Sequence, residues 1–311
     1  MSFTCSFAGG IGGGGASNLL LPDAADPNVA YVRTSGNDGD AVVGDPFRPF
    51  ASWLAAYSAG ARVFDMGVGT FAGGSVTTLN VKFLGKGKDQ TFVGAINGTS
   101  GSVYGNGRDN ITVGGVNITF PNGADNPGGD GFPGTDATNV NIIGIKTTSD
   151  VVVTAGTGGT GGNGDDGILA ANGFGGGNGG ASASVFVQDC IIGGYVAMVS
   201  GNGGTGGNGG NSPDDSDPTS AGGNGGNGGN GGSQGVITCF NSFVGGFYAG
   251  AASAGLGGAG GGGLAPGSAG NPGTGGSAGT ISTQFVQASA DVSDGETTTY
   301  HLSMVSGTPY T

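Results

Sequence analysis

From residue 30 onward, short runs of alternating apolar and polar positions are separated by turn clusters, the period-2 pattern of half-buried strands. Residues 30–34 (AYVRT) read as a strand, residues 35–40 (SGNDGD) as a turn, and residues 61–71 (ARVFDMGVGTF) as another strand. Between them residues 50–59 (FASWLAAYSA), preceded by Pro49, are the one segment that predicts a helix. Further strand-like stretches fall at 81–85, 91–96 and 111–120. In the second half, residues 141–153 (NIIGIKTTSDVVV), 186–198 (FVQDCIIGGYVAM) and 238–250 (TCFNSFVGGFYAG) align as three versions of one unit, and residues 281–292 begin a fourth. Units of this kind, each with a long loop, predict a solenoid in which loops stack as strands stack.

The loops carry a period of their own. Residues 222–232 read GGNGGNGGNGG, and residues 156–164 (GTGGTGGNG), 201–210 (GNGGTGGNGG) and 255–279 continue the theme. Two glycines in three leave nothing to bury, so a helix or ordinary strand would lose backbone entropy without packing in return. A polyproline II helix has three residues per turn, which points every Asn one way. Several such helices side by side can exchange N–H···O=C bonds, giving a polyglycine II bundle. The triplet phase and its return after each strand unit argue against a disordered linker, and the scarcity of Pro argues against collagen. Gly225 and Gly228 are therefore expected to reject Val, whereas Asn227→Ser is expected to be mild.

Composition narrows the partners. Of 311 residues, 78 are Gly, and 8 basic residues face 21 acidic ones. No Lys or Arg follows Lys146, so nucleic acid is not expected as a partner, and neither is an anionic membrane. The first 28 residues show no basic start and no continuous apolar run, so neither a signal peptide nor membrane insertion is expected. Cys5, Cys190 and Cys239 make no complete disulfide set and have no metal-ligand spacing. Cys190 and Cys239 lie in apolar strands and read as small core residues.

Candidate chemistry is sparse. His301 is the only histidine, which leaves no basis for a triad. Asp109, Asp150 and Asp189 are the carboxylates to examine for solenoid-type hydrolysis or lysis, but Asp150 precedes VVV and Asp189 precedes CII, different points of their units. Residues 161–169 (GGNGDDGIL) fit a calcium-binding nonapeptide in a single copy, whereas such sites form between consecutive turns. The Asn97 and Asn117 sequons carry weight only with a secretory route. No enzyme activity, cofactor or metal is expected. Residues 211–220 (NSPDDSDPTS) interrupt two GGN runs and read as an exposed tip.

Two resemblances follow. Residues 29–75 resemble the opening of pectin-lyase-like right-handed parallel β-helices in Tyr31, Gly36-Asn37-Asp38, the helix around Trp53, and Gly69-Thr70-Phe71. The glycine runs with their tips resemble the polyglycine II adhesins that cap tail fibres of T-even-like bacteriophages, whose loops bind outer-membrane proteins or surface glycans. Together they imply an all-β, right-handed parallel β-helix with an N-terminal capping helix, its loops packed as a polyglycine II bundle. The expected organisation is a glycine-rich docking segment (1–28), the β-helix opening and cap (29–75), coils with glycine loops at 156–181, 201–234 and 255–279 (76–292), and a C-terminal strand or cap (293–311).

The adhesin resemblance implies a phage virion protein in a tail fibre or tail tip, assembled in the host cytoplasm, as a homotrimer or attached to an oligomeric fibre. Its partners would be other virion proteins and a host cell-surface protein or glycan. Receptor contacts would come from the tips, Asp165, Asp166, Asn211, Asp214, Asp215, Asp217, Leu264 and Pro266, and docking from Phe3, Phe7, Leu19, Leu20 and Leu21. A capsid-decoration or head-fibre protein is the alternative. Mycobacterial glycine-rich surface proteins lack a match here for their helical N-terminal domain, and Thr157, Thr160 and Thr205 are too irregular for an ice-binding face.

Overall fold

The structure, a computed structural model, describes residues 28–166, 170–182, 184–212, 221–277 and 279–288. The docking residues Phe3 to Leu21, the tip residues Asp214, Asp215 and Asp217, His301 and the expected C-terminal cap lie outside them. Seventeen strands and one short helix occur among the described residues. All the strand pairs are parallel and belong to one curled sheet, so the protein is an all-β solenoid.

The pairings resolve into three stacks. The first runs through Val29–Val32, Val63–Met66, Val81–Leu84, Val103–Tyr104, Val140–Ile143, Val185–Gln188, Val236–Gly250 and Thr280–Ala288. The second joins Gly69–Phe71, Thr91–Val93, Thr112–Val113, Lys146–Thr147 and the start of Ile191–Val199. The third joins Gly74–Val76, Ile96–Gly98, Val116–Thr119, Val151–Thr154 and the end of Ile191–Val199. Several runs read as single strands are thus two, broken where the coil turns a corner: residues 61–71 split at Gly67 and Val68, and residues 91–96 at Gly94 and Ala95.

Inward positions stack in columns. Val116, Val151, Val196 and Phe247 follow one another across four coils, and Val140, Val185, Ile237 and Ile281 form a second column that starts and ends one coil later, all buried. A continuous apolar core runs from Ala30 to Ile281. Apolar burial at this scale is the larger favourable term.

The corner between the first and second stacks is left-handed in three successive coils: Gly144 (φ 65°), Asp189 (φ 53°) and Asn241 (φ 45°). Asn and Asp adopt that region more readily than other residues with a side chain, and here Asn241 Nδ2 donates across one coil to Asp189 Oδ1 at 2.5 Å.

The helix is shorter than its sequence suggests, Trp53–Ser58. Phe50 is instead drawn into the sheet, where its N–H bonds to Tyr31 O (2.8 Å) and its carbonyl accepts Arg33 N–H (2.8 Å). Ser52 caps the helix by accepting Ala55 N–H at 3.2 Å. The Asp38 carboxylate in turn accepts the N–H groups of Ala51 (2.7 Å) and Ser52 (3.0 Å). Trp53 stands edge-on to Phe64 and Phe83 and donates its Nε1–H to Ala72 O at 3.0 Å.

Four loops, at 120–139, 155–184, 200–235 and 251–279, leave from the third stack and return to the first. Because they share one corner, they stack. Each runs out and back, and the segments bond to one another with a period of three. In the third loop's return segment, Gly222, Gly225 and Gly228 donate to Ala265, Ser268 and Asn271 of the fourth loop, at 2.8 to 2.9 Å. Gly223, Gly226 and Gly229 donate to Gly210, Gly207 and Gly204 of the outgoing segment, at 2.8 to 3.0 Å. A Cβ on Gly225 or Gly228 would press into the carbonyl oxygen of Gly258 or Gly255, as expected for those positions.

The outermost described loop departs from this pattern. Aligned with Gly222, Gly225, Gly228 and Gly231 are Pro266, Ala269, Pro272 and Gly275, so two of the four positions that would donate outward have no N–H.

Gly226→Ala, whose Cβ would press into Phe174 O, should destabilise by about 1–3 kcal/mol. Gly128→Ala, with nothing near its Cβ, should be neutral. Thermal melts of the two variants check the contrast, and equal losses would refute the close-packing account.

Candidate functional site

Asn and Asp side chains at third positions of the triplets join the loop layers. Asn172, Asn178, Asn224, Asn227 and Asn230 each turn Oδ1 onto a backbone N–H one layer on, belonging to Asn224, Asn230, Ser268, Asn271 and Thr274, at 2.8 to 2.9 Å. On the opposite face Asn163, Asn202 and Asn208 do the same for Asn208, Ser253 and Ala259, each at 2.9 Å. Asp125, Asp130 and Asp136 serve the second loop likewise, at 2.7 Å each.

The periodicity placed these side chains on one side but did not reveal this bond. The available signal was the overlay of the GTGGTGGNG and GNGGTGGNGG runs, since Asn163 and its partner Asn208 stand 45 residues apart. Asn227 is therefore a structural acceptor, and the expectation of a mild Asn227→Ser is revised, because Ser is too short to reach Asn271.

The described tip residues come together at the far end of the layers. Asp166 Oδ1 accepts Asn211 N–H at 2.6 Å, and Asn211 Oδ1 accepts Gly262 N–H at 2.8 Å. Ser212 N–H returns to Gly262 O at 2.8 Å, and Ala221 bridges Ala265. Asp165 and Pro266 are exposed, and Leu264 is 57% exposed. Asp165 also borders a hollow of about 470 Å³ with Asp125, Thr160 and Asn163. Tips separated widely in sequence thus share one end of the stack.

Asp150 and Asp189, considered for catalysis, fall at different corners of the coil. Asp189 turns the corner between first and second stacks, whereas Asp150 immediately precedes a third-stack strand and accepts Tyr195 N–H at Oδ1 over 2.8 Å. Asp109 uses its backbone carbonyl, which accepts Lys88 N–H at 2.7 Å. In the calcium-like nonapeptide, Gly167 to Leu169 lie outside the described residues, and Asp166 is engaged with Asn211. Among the described residues no group of three or more His, Cys, Asp or Glu could hold a metal.

Cys190 and Cys239 are free and buried in adjacent coils. Burial pushes the Cys190 thiol up to about 11 and that of Cys239 up to about 12, since a thiolate there would lose its water. Neither serves as a nucleophile near neutral pH.

A wide groove of about 640 Å³ lies on the face of the return segments, bordered by Asp130, Pro133, Asn172, Phe174, Asn178 and Asn227. Sequence reasoning missed it, because its centre is a glycine, Gly175, among glycines.

No protein-family model matches the sequence, and no curated protein matches it. Among solved structures a rhamnogalacturonan lyase aligns at 12% identity over 71% of this chain and 73% of that one, with a TM-score of 0.21. A similarity that slight assigns no activity.

Asn224→Ala should cost about 1 kcal/mol by leaving Ser268 N–H without its acceptor. Asn227→Ser should match it in denaturant titration, and a neutral result for both would refute the ladder. Alkylation at pH 8 should leave Cys190 and Cys239 unmodified by mass spectrometry until the protein is unfolded; modification of folded protein would contradict their burial. Both thiols carry raised values when folded, so their contribution to stability is intact below about pH 8.5, where unfolded thiols begin to ionise, and is lost as pH rises through 11 to 12.

Proposed function

We propose that the four loops form a polyglycine II bundle carried on a right-handed β-helix with Trp53–Ser58 as its cap, and that the molecule is a non-enzymatic attachment protein. It would act as a phage virion component at a tail fibre or tail tip, assembled in the host cytoplasm without a cofactor, alone or as a homotrimer on other virion proteins. The single observation that carries this reading is the convergence of Asp165, Asp166, Asn211, Leu264 and Pro266 at the far end of a layered, backbone-bonded platform. Such a platform holds short loops rigidly away from the solenoid, and rigid presentation lowers the ordering cost of binding.

The exposure of Leu264 beside the acidic Asp165 suits a host surface protein or glycan better than an anionic polymer. The absence of cations after Lys146 points the same way. Docking through Phe3, Phe7, Leu19, Leu20 and Leu21 remains part of the proposal.

Localisation by electron cryomicroscopy of the native particle tests it. Copies at a fibre or tail tip are the expected result, and a regular lattice over a capsid would replace adhesion with decoration. In a binding assay on host cells, Leu264→Ser combined with Asp165→Asn should weaken attachment by about tenfold without changing the melting temperature. Unchanged attachment would remove the tips from the interface.

A further inference from the structure

We infer that the groove centred on Gly175 is a binding site for a neutral sugar. The site is a vacancy in the triplet lattice. In the second loop's return segment the third positions are Asn172, Gly175 and Asn178, and in the third loop Asn224, Asn227 and Asn230. Asn224 and Asn230 have their backbone N–H groups held by the side chains of Asn172 and Asn178, at 2.8 and 2.9 Å. Asn227 lies over Gly175, which has no side chain, and its N–H has no acceptor among the described residues. Asn178 N–H is in the same position, because the residue beneath it in the first loop is Pro133. Both residues border the groove of about 640 Å³.

The side chains around this vacancy are fixed in orientation. Asn172, Asn178, Asn224 and Asn227 each have Oδ1 committed to a backbone N–H of the next layer. Their Nδ2 groups are therefore the free ends, and the face offers preset donors. Asp130 has Oδ1 on Gly175 N–H at 2.7 Å, which leaves Oδ2 as an acceptor. Phe174, 38% exposed, lies along the same groove.

Many fixed donors, one carboxylate acceptor, an aromatic residue and no lining cation describe a site for a neutral polyhydroxy compound. A carbonyl or hydroxyl oxygen of the sugar would accept from Asn227 N–H and the carboxamides, and a sugar hydroxyl would donate to Asp130. Phosphate, sulfate or carboxylate groups would meet Asp130 without a compensating cation. The occupant is a hexose or N-acetylhexosamine unit of a surface glycan. The proposal deepens the attachment reading and rests on it for the source of that glycan, but it places contact on the face rather than at the tips.

The test is the full chain on an array of neutral oligosaccharides built from hexoses and N-acetylhexosamines, with sialylated and sulfated oligosaccharides alongside. Gly175→Asn is the decisive variant. A Cβ there meets Asp130 Oδ1 at 3.3 Å and Asn227 O at 3.7 Å, contacts that small shifts accommodate. The new carboxamide would complete the lattice and occupy the groove.

The wild-type chain should bind neutral members and not the anionic ones. Gly175→Asn should bind about tenfold more weakly or not at all, with an unchanged or higher melting temperature. Asp130→Asn, which keeps an acceptor for Gly175 N–H but loses the outward one, should also weaken binding. Neutral-sugar binding that survives in Gly175→Asn, preference for the anionic members, or no binding to any member would overturn the site. Sugar binding and host-cell attachment both unaffected by Gly175→Asn would overturn the site while leaving the tip reading intact. Sugar binding lost in Gly175→Asn by a chain that ignores host cells would keep the site and remove the adhesin reading.

Discussion

The loop platform depends on a distance of approach that only an absent Cβ allows. In the return segments of the second and third loops one glycine N–H crosses to the next loop and another crosses back to its own outgoing segment, so these segments bond in two directions at once. Ordinary strands bond in one plane and use the other for side chains. Here the second direction is also backbone to backbone, and a methyl group at most of these positions would enter the space of a carbonyl oxygen. The entropy lost in ordering so many glycines is set against hydrogen bonds that leave few donors to water.

That constraint passes to the solenoid. Loops can meet at this spacing only if they leave and return at the same corner of consecutive coils, and the parallel register of the three stacks secures this. The columns of Val and Ile that fill the interior keep the coils in register, and the loops extend the same stacking outward. Core and platform are one device, with apolar burial fixing the register that the backbone bonds then use.

Much of this was legible in the residues. The triplet phase of 222–232 gave the threefold repeat, and the alignment of residues 141, 186 and 238 matches the observed strand register. It slips by one residue at the other end, because Gly193 and Gly194 form a bulge opposite Gly245. The helix start was misplaced because the pairing of Phe50 with Val32 is a long-range event that local propensity does not encode. The role of the third-position Asn and the vacancy at Gly175 were hidden for a related reason. Both depend on which residue lies one layer away, 44 to 52 positions along the chain, and a glycine that opens a groove is spelled like one that closes a contact.

The prolines aligned with Gly222 and Gly228 give the platform a property of a different kind. A lattice whose every layer presents the donors needed by the next resembles a growing crystal face, and nothing in its bonding says when to stop. Pro266 and Pro272 act as a poisoned facet: a further layer of the same type would find half of that row without a proton to offer. Among the described residues the layered face thus ends on a surface that a further layer of the same kind could not fully bond.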